Sequence, residues 1–572
     1  MSDDQLVPVL ISVLRDSAKT IFVEHLPNLL SEFRAAVVDG WLPKLCVNLE
    51  ISLNNIYEVV ATSFPCSTNT EGKSKLEQLR YWTAAYPNTL VHSLTPLTSR
   101  DKLVLINIVM LRMGNAYLKL NPKLEPAVLD LKTVVPDWAD ALENVQPSPF
   151  KLGNFVAIHK TFFRDTAKFS DVVDGFQFGF KLGYHGTRNE RWGRSPEPED
   201  PDMKTRVLSI LRKEIEYGRM IGPLRDRKPT FLDFLVVSPV HLIPKRSNGV
   251  PIPDKYRCIH NLSWGRIYNT SVNNGIDVSE FETVYIKFDE ICEDARTAGV
   301  GSTGIKSDQV DAFRQIPIAA EDIPLLGISF MGNLYIDTRL VFGVRSGPSI
   351  FSDVSRLLRN IYQEIIQGTR FKNMQDDFFN FEAASDKIAS AVALTGFKDF
   401  MDMVGFELSV EKTVSPSTEI VILGLEINTV QQTVSIPPPR MKALKTILHE
   451  WLALESATKV QLQSLIGVLQ FTSYGVRWGR TFIRRLIDTM KTLTFQTDSV
   501  VLDAETKADI EWWVKFAESF SGVSFIIDPQ PITIDLHLYS DASNPCCAGV
   551  WVDNWWRHMF TEHELVLLSD IS

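Results

Sequence analysis

A change of pattern in the middle of the chain constrains its fold most. From about Phe231 to Thr429, short β-branched and aromatic runs alternate with longer amphipathic segments. That alternation requires strands and helices packed on one another, so the region is mixed helix and sheet. The flanks differ. Residues 1–145 read as mostly helical: Leu26–Leu45 has recurring apolar positions, and Arg100–Leu120 is apolar almost all round, as in a buried helix. From Pro437 to about Gly522 the chain is helical again. From Pro531 it reverts to strands, Leu536–Tyr539 and Ala548–Val552.

At 572 residues the chain exceeds one ordinary domain, and roughly three to five folding units are expected. Gly186–Asp202 carries Pro196, Pro198 and Pro201 among acidic residues and reads as a linker. An amphipathic helix is predicted over Met203–Tyr217, with Val207, Leu208, Leu211 and Ile215 as its stripe, a stop at Gly218, and a turn at Gly222-Pro223. The longest apolar run, around Leu103–Leu111, is interrupted by Asn107 and soon meets Arg112, so no membrane span is expected. The N-terminus, Met-Ser-Asp-Asp, lacks a basic leader, and the six cysteines are scattered without a C-x-x-C pair. Neither a disulfide framework nor a zinc ribbon is expected, and an intracellular setting, cytoplasmic or nuclear, is the expectation. A formal net charge of −10 weighs against nucleic-acid binding by the chain as a whole; local basic clusters must decide.

Two acidic segments carry the chemistry. In Lys306-Ser-Asp308-Gln-Val-Asp311-Ala-Phe313-Arg-Gln-Ile-Pro317, a strand leading into a turn puts Asp308 at the strand end. In Asn373-Met-Gln-Asp376-Asp377-Phe-Phe, two adjacent acids stand in an apolar setting, where repulsion and burial both disfavour the charged forms. On a regular strand neighbours point to opposite faces, whereas in a tight hairpin they converge. A divalent cation relieves such repulsion, and hard carboxylate oxygens suit Mg²⁺. Taken singly, each acid is also what an ordinary exposed turn offers.

Nine segments in order resemble the reverse transcriptases of LTR-type retroelements, and most of all the DIRS group, the tyrosine-recombinase retrotransposons. They run through Gly218-Arg-Met-Ile-Gly-Pro223, Ser238-Pro-Val-His-Leu-Ile-Pro-Lys245, Tyr256-Arg257-Cys-Ile-His-Asn-Leu-Ser263, Lys306–Gln315, Leu325-Leu-Gly327, Phe342-Gly-Val-Arg-Ser-Gly-Pro348, Asp376-Asp377-Phe378, Leu423-Gly-Leu-Glu-Ile427, and Leu465-Ile-Gly467 with Gly479-Arg480. The resemblance implies an α+β right-hand polymerase fold with a helical N-terminal domain. Its parts fall at 1–145 (helical, a candidate for self-association), 146–204 (connection), 205–300 (fingers), 301–435 (palm), 436–525 (thumb and connection) and 530–572 (a partial RNase H-like segment).

The same resemblance implies the roles of residues. Asp308, Asp376 and Asp377 hold two Mg²⁺ ions, which Mn²⁺ can replace. Lys245 and Arg257 grip the triphosphate, which suits the rigid guanidinium fork; a surface salt bridge is the alternative for Lys245. Phe313 matches a steric gate against the ribose 2′-hydroxyl, with a core aromatic as its alternative. Phe342 and Gly343, in the loop ending at Pro348, and Gln375 lie at the incoming dNTP. Pro348 then opens a helix carrying Ile350, Phe351, Val354, Leu357, Leu358 and Ile361. Lys412 falls near the position of a general acid for pyrophosphate, or is simply an exposed lysine. The chain departs from the family at Met374-Gln375, where an aromatic and an apolar residue are usual, and at Val341-Phe342, where Pro-Phe is usual.

Tyr474–Lys491 holds Arg477, Arg480, Arg484, Arg485 and Lys491 with interleaved Tyr474, Trp478 and Phe482 and one acid, Asp488. Arg477, Arg480 and Arg484 recur at helical spacing, so a template–primer grip is expected, extended by Arg440, Lys442 and Lys445; a solvated charged helix is the alternative. His537-Leu-Tyr-Ser-Asp541-Ala-Ser resembles the first strand of an RNase H domain, with Asp541 its first metal ligand. The further acids such a domain needs do not follow before Ser572, so no nuclease activity is expected. The expected function is an RNA-directed DNA polymerase acting on dNTPs, an RNA template, a DNA primer and their RNA–DNA hybrid. The alternative is a non-catalytic nucleic-acid-binding scaffold on the same fold.

Overall fold

The computed structural model describes residues 126–565 with short breaks, the longest at 525–537, and a few positions between 98 and 111. The predicted helix Leu26–Leu45 and the rest of residues 1–97 lie outside the described residues. Within Arg100–Leu120, the described positions Arg100, Val104, Ile108 and Leu111 are helical, and the last three are buried, at the spacing of one helix face. The chain divides into two units, Met1–Val523 and Ser524–Ser572.

The first unit mixes helices with several antiparallel sheets. Its strands include β1 (Met220–Arg225), β2 (Val240–Ser247), β3 (Val250–His260), β4 (Thr303–Asp308), β5 (Gly327–Phe330), β6 (Asn333–Asp337), β7 (Lys372–Met374), β8 (Asp377–Glu382), β9 (Val414–Ser417), β10 (Glu419–Ile422), β11 (Leu425–Asn428) and β12 (Thr433–Ser435). One sheet runs β7-β8-β4-β9, a second β1-β6-β5, and β2 pairs with β3 as a long hairpin.

Before the strands stands helix α1, Pro201–Glu216. Asp200 caps it by accepting from the Asp202 N–H, and Pro201 occupies its first turn, where no N–H is needed. Val207 and Leu211 are buried against Met220, Ile328, Phe330 and Tyr335, with Leu208 and Ile215 beside them. The predicted stripe is therefore the buried face. Gly218 stops the helix at φ 68°. Gly222-Pro223, expected as a turn, instead lies inside β1, where the register against β6 slips between Ile221 and Leu224. Proline donates no ladder hydrogen bond, and an irregularity in the pairing accommodates it.

The sheet holding Asp308 is covered by α2 (Gly347–Ile366) and α3 (Ala389–Val404). Pro348 sits in the first turn of α2, and Ile350, Phe351, Val354, Leu357, Leu358 and Ile361 are all buried. Phe378 of β8 packs on Phe397 of α3 with ring centroids 4.8 Å apart, and Phe371 and Tyr362 close the cluster. Because side chains alternate along a strand, Asp377 and Phe379 point to the opposite face from Phe378. The helices thus bury one face and leave the carboxylate end on the other.

Beyond β12 come α4 (Pro438–Leu452), α5 (Lys459–Thr472), a 3₁₀ segment (Arg477–Ile483), α6 (Arg484–Lys491) and α7 (Ala504–Ser519). Arg477, Arg480 and Arg484, expected at helical spacing, do not share one helix. Phe482 leaves helical geometry at φ −87°, ψ 22°, and α6 starts anew at Arg484. Among the described residues, no helix is long and apolar enough to cross a membrane.

The second unit contains the antiparallel meander Leu538–Ser543, Cys546–Trp551 and Asn554–Met559. Asp541 lies on its first strand, paired with Ala548.

Candidate active site

Strands β4 and β8 build the centre. They pair antiparallel from Thr303↔Glu382 to Asp308↔Asp377, so Asp308 closes one strand where Asp377 opens the other. Residues opposed in this way present their side chains on the same face. Asp376 stands one residue earlier, in the tight turn between Met374 and Asp377, which are themselves paired. The turn reverses at Gln375, with φ 54°. Backbone bonds fix the acids: the Gln309 N–H donates to the Asp376 carbonyl at 3.0 Å and the Ser409 N–H to the Asp308 carbonyl at 2.7 Å.

The electrostatics are those of crowded acids. Burial, with Asp308 and Asp377 alongside, pushes the Asp376 carboxyl up to about 6. Burial also raises Asp377, while Lys306 opposes the shift. Lysines neutralise two of the three acids: Lys412 Nζ lies 2.7 Å from Asp308 Oδ1, and Lys306 Nζ lies 3.1 Å from Asp377 Oδ1. Among the described residues, no three His, Cys, Asp or Glu side chains close into a metal-holding cluster. The donor chemistry nevertheless suits a hard divalent cation. All three groups are carboxylates, two share a register position, and the repulsion among them, which adds to burial in raising the proton affinity of Asp376 and Asp377, is what a bound cation relieves.

The expected nucleotide residues fall into a connected row. Arg257 Cζ lies 5.7 Å from the Phe342 ring centroid. Phe342 stacks on Phe313 at 5.1 Å and 11°, and Phe313 meets Phe351 at 5.2 Å. Phe313 is half-buried, so it is both the edge of the core and a wall of the site. Lys245 is exposed on the β2–β3 hairpin. Partial desolvation, then Arg257 and Lys412, push its ammonium below the ordinary lysine value, while Asp311 opposes them.

Two of the expected contact residues also hold the surrounding backbone in place. Gly343, at φ 112°, packs its Cα against the His260 carbonyl, where any Cβ would collide with backbone. The Gln375 amide donates to Ser352 Oγ at 2.7 Å and the Pro348 carbonyl at 3.2 Å, bracing the acidic turn against α2.

Sequence reasoning missed Asn273. Its amide donates to the Gly343 carbonyl at 2.9 Å and accepts the Arg345 N–H at 2.9 Å, clamping the Phe342–Pro348 loop. It also missed a cavity of about 300 Å³ beside the turn, whose lining includes Tyr285, Arg356, Arg359, Lys372, Met374 and Gln375. Arg356 and Arg359 lie three apart on α2 and were visible as a basic edge of that helix. Their convergence with Lys372 depends on β7 folding back.

The basic segment is only partly free. Arg485 pairs with Asp509 of α7 at 2.9 Å, and Arg440 lies 3.7 Å from the Phe471 ring centroid while donating to the Gly424 carbonyl. Arg485 thereby ties α6 to α7 while staying exposed, and Arg440 is held between Phe471 and the Gly424 carbonyl. Arg480 is exposed 5.6 Å from the Tyr474 ring, and Arg484 is exposed beside Asp488 at 3.0 Å. The backbone of Arg477 opens the 3₁₀ segment.

Neither a protein-family model nor any curated protein sequence matches the chain. Solved structures do match at low identity. A foamy viral protease–reverse transcriptase, in a form designated dRH and in complex with double-stranded DNA, is 14% identical with a TM-score of 0.44, over 79% of this chain and 75% of that one. A foamy viral protease–reverse transcriptase with double-stranded DNA is 13% identical with a TM-score of 0.43, over 78% and 86%. The RNA/DNA-hybrid complex is 14% identical with a TM-score of 0.44, over 79% of this chain and 58% of that one. At this level of likeness, function is read from this chain's own residues.

Proposed function

We propose that this chain is an RNA-directed DNA polymerase with a right-hand fold, extending a primer 3′-hydroxyl with dNTPs. The observation that carries the reading is the Asp308↔Asp377 register pair with Asp376 on the adjoining turn. In support stand the ordered row Arg257–Phe342–Phe313 and the cations Lys245 and Lys412.

Asp308, Asp376 and Asp377 would hold divalent ions. When bound, such ions supply Lewis-acid chemistry, activating a hydroxyl and neutralising a triphosphate. The chain's own groups do the rest. Arg257 and Lys245 bind and orient phosphate oxygens, which makes reaction effectively intramolecular. Phe313, stiffened between Phe342 and Phe351, meets the sugar and excludes a 2′-hydroxyl by contact. Lys412, largely exposed, pairs with Asp308 in the structure, and in this reading it donates to a leaving phosphate oxygen. Exposed Arg480 and Arg484 bind the duplex backbone.

A second reading, a non-catalytic nucleic-acid scaffold, is favoured by one observation: Asp308 and Asp377 are each already paired with lysine. Primer extension on an RNA template, run beside hybrid binding, separates the two. The polymerase extends with Mg²⁺ or Mn²⁺ and Asp376→Asn does not. Equal hybrid binding with no extension by either protein would establish the scaffold.

A further inference from the structure

Lys306 opens the first acidic segment, yet the nucleotide chemistry assigns it no task. It stands on β4, two residues before Asp308, so strand alternation puts it on the same face as Asp308 and Asp377. Its Nζ lies 3.1 Å from Asp377 Oδ1, and the two side chains are only 17% and 22% exposed. The β4 backbone is held from both sides here, with Lys306 opposite Phe379 of β8 and Val414 of β9. Lys412 offers a contrast. It approaches Asp308 from outside the sheet, and its side chain is 59% exposed. Lys412 can leave when a ligand arrives, whereas Lys306 is anchored to the middle of the sheet.

We propose that Lys306 is a positioning residue, a built-in ammonium that holds the Asp377 carboxylate and lowers the site's affinity for divalent cations. The proposal rests on the polymerase reading of the three acids. A fixed positive charge competes with a divalent ion for Asp377 Oδ1 and repels that ion from close range. It also offsets the repulsion among Asp308, Asp376 and Asp377, so the acids can fold together before any ion binds. The centre is thereby preassembled and only weakly metal-binding until a nucleotide triphosphate brings further oxygen ligands. Metal loading is then coupled to nucleotide arrival.

The test is Mn²⁺ binding to the full chain without nucleic acid or nucleotide, read from the electron paramagnetic resonance signal of free Mn²⁺. Wild type, Lys306→Met, Lys306→Arg and Asp376→Asn are compared, each checked for fold by circular dichroism. Lys306→Met keeps the stem and removes the charge, so it should bind Mn²⁺ about tenfold more tightly at the site that Asp376→Asn removes. Lys306→Arg retains the charge and should stay near wild type, which a merely structural role for the side chain does not predict. If Lys306→Met misfolds, Lys306→Gln gives the same measurement. Equal affinity in wild type and the neutral variants, at a site that Asp376→Asn removes, overturns this inference and leaves the polymerase reading standing. No site sensitive to Asp376→Asn in any of the proteins overturns both.

Discussion

Asp308 and Asp377 face each other across one register position of neighbouring antiparallel strands, and Asp376 adjoins them on the turn. The arrangement costs stability when no cation relieves it. Asp376→Asn keeps the shape and removes a charge, so in chelator it should melt above wild type, by roughly 1–3 kcal/mol of stability. In primer extension the same variant should lose at least about a hundredfold in rate. A variant that melts lower and extends normally would mean that the three carboxylates do not form one charged centre.

Phe313 sits between Phe342 and Phe351 at 5.1 and 5.2 Å. Phe313→Ala should open that wall and raise the ribonucleotide-to-deoxyribonucleotide ratio of kcat/KM by about tenfold or more. Unchanged sugar discrimination would make Phe313 a core aromatic and nothing else.

Arg314 follows Phe313 and is buried with Glu214 at 2.9 Å and Asp337 at 2.9 Å. Its guanidinium ties α1 to β6 and to the short turn carrying Phe313. Arg314→Met would leave two carboxylates poorly paired, at a cost of about 3–5 kcal/mol in denaturant unfolding. A loss within experimental error would show the network to be dispensable.

His260 lies against the same network. Burial, with repulsion from Arg314, holds its imidazole down to about 3, against an ordinary value of 6.5, while Glu214 opposes the shift. Asp337 Oδ2 stands 3.8 Å from Nε2. With the folded value depressed, the unfolded chain takes up the proton first as pH falls below 6.5. This contribution to stability is full above 6.5 and is lost progressively towards pH 3. Urea midpoints across that range should fall less steeply for His260→Gln than for wild type; identical slopes would contradict the assignment.

Desolvation pushes the thiols of Cys258 and Cys292 up to about 12. Both stay protonated at pH 8 and should alkylate far more slowly in the native protein than in urea. Rapid native labelling at either position would show that the partly exposed thiols are not desolvated in this way.

Local features were legible in the sequence. The apolar stripe behind Pro348 announced α2 and the strand before Asp308 announced β4, while a tight hairpin was one of the geometries that the adjacent acids Asp376-Asp377 left open. Each of these is set by periodicity or by adjacent residues. What was not legible depends on partners far along the chain. Gln375 braces Ser352, Arg485 meets Asp509, and Arg440 lies over Phe471. Spacing shows that these side chains share a helix or a turn, but tertiary packing decides whether they face nucleic acid or another helix. Gly222-Pro223 shows the same limit, since a dipeptide that ordinarily marks a turn is carried inside β1 by its pairing with β6.

Single-nucleotide incorporation on a primed RNA template tests the central claim most directly, with wild type and Asp308→Asn compared in Mg²⁺ and in Mn²⁺. The three-carboxylate centre predicts one templated dNTP added by wild type in at least one metal and none by the variant. Incorporation by both proteins, or by neither in either metal, would contradict it.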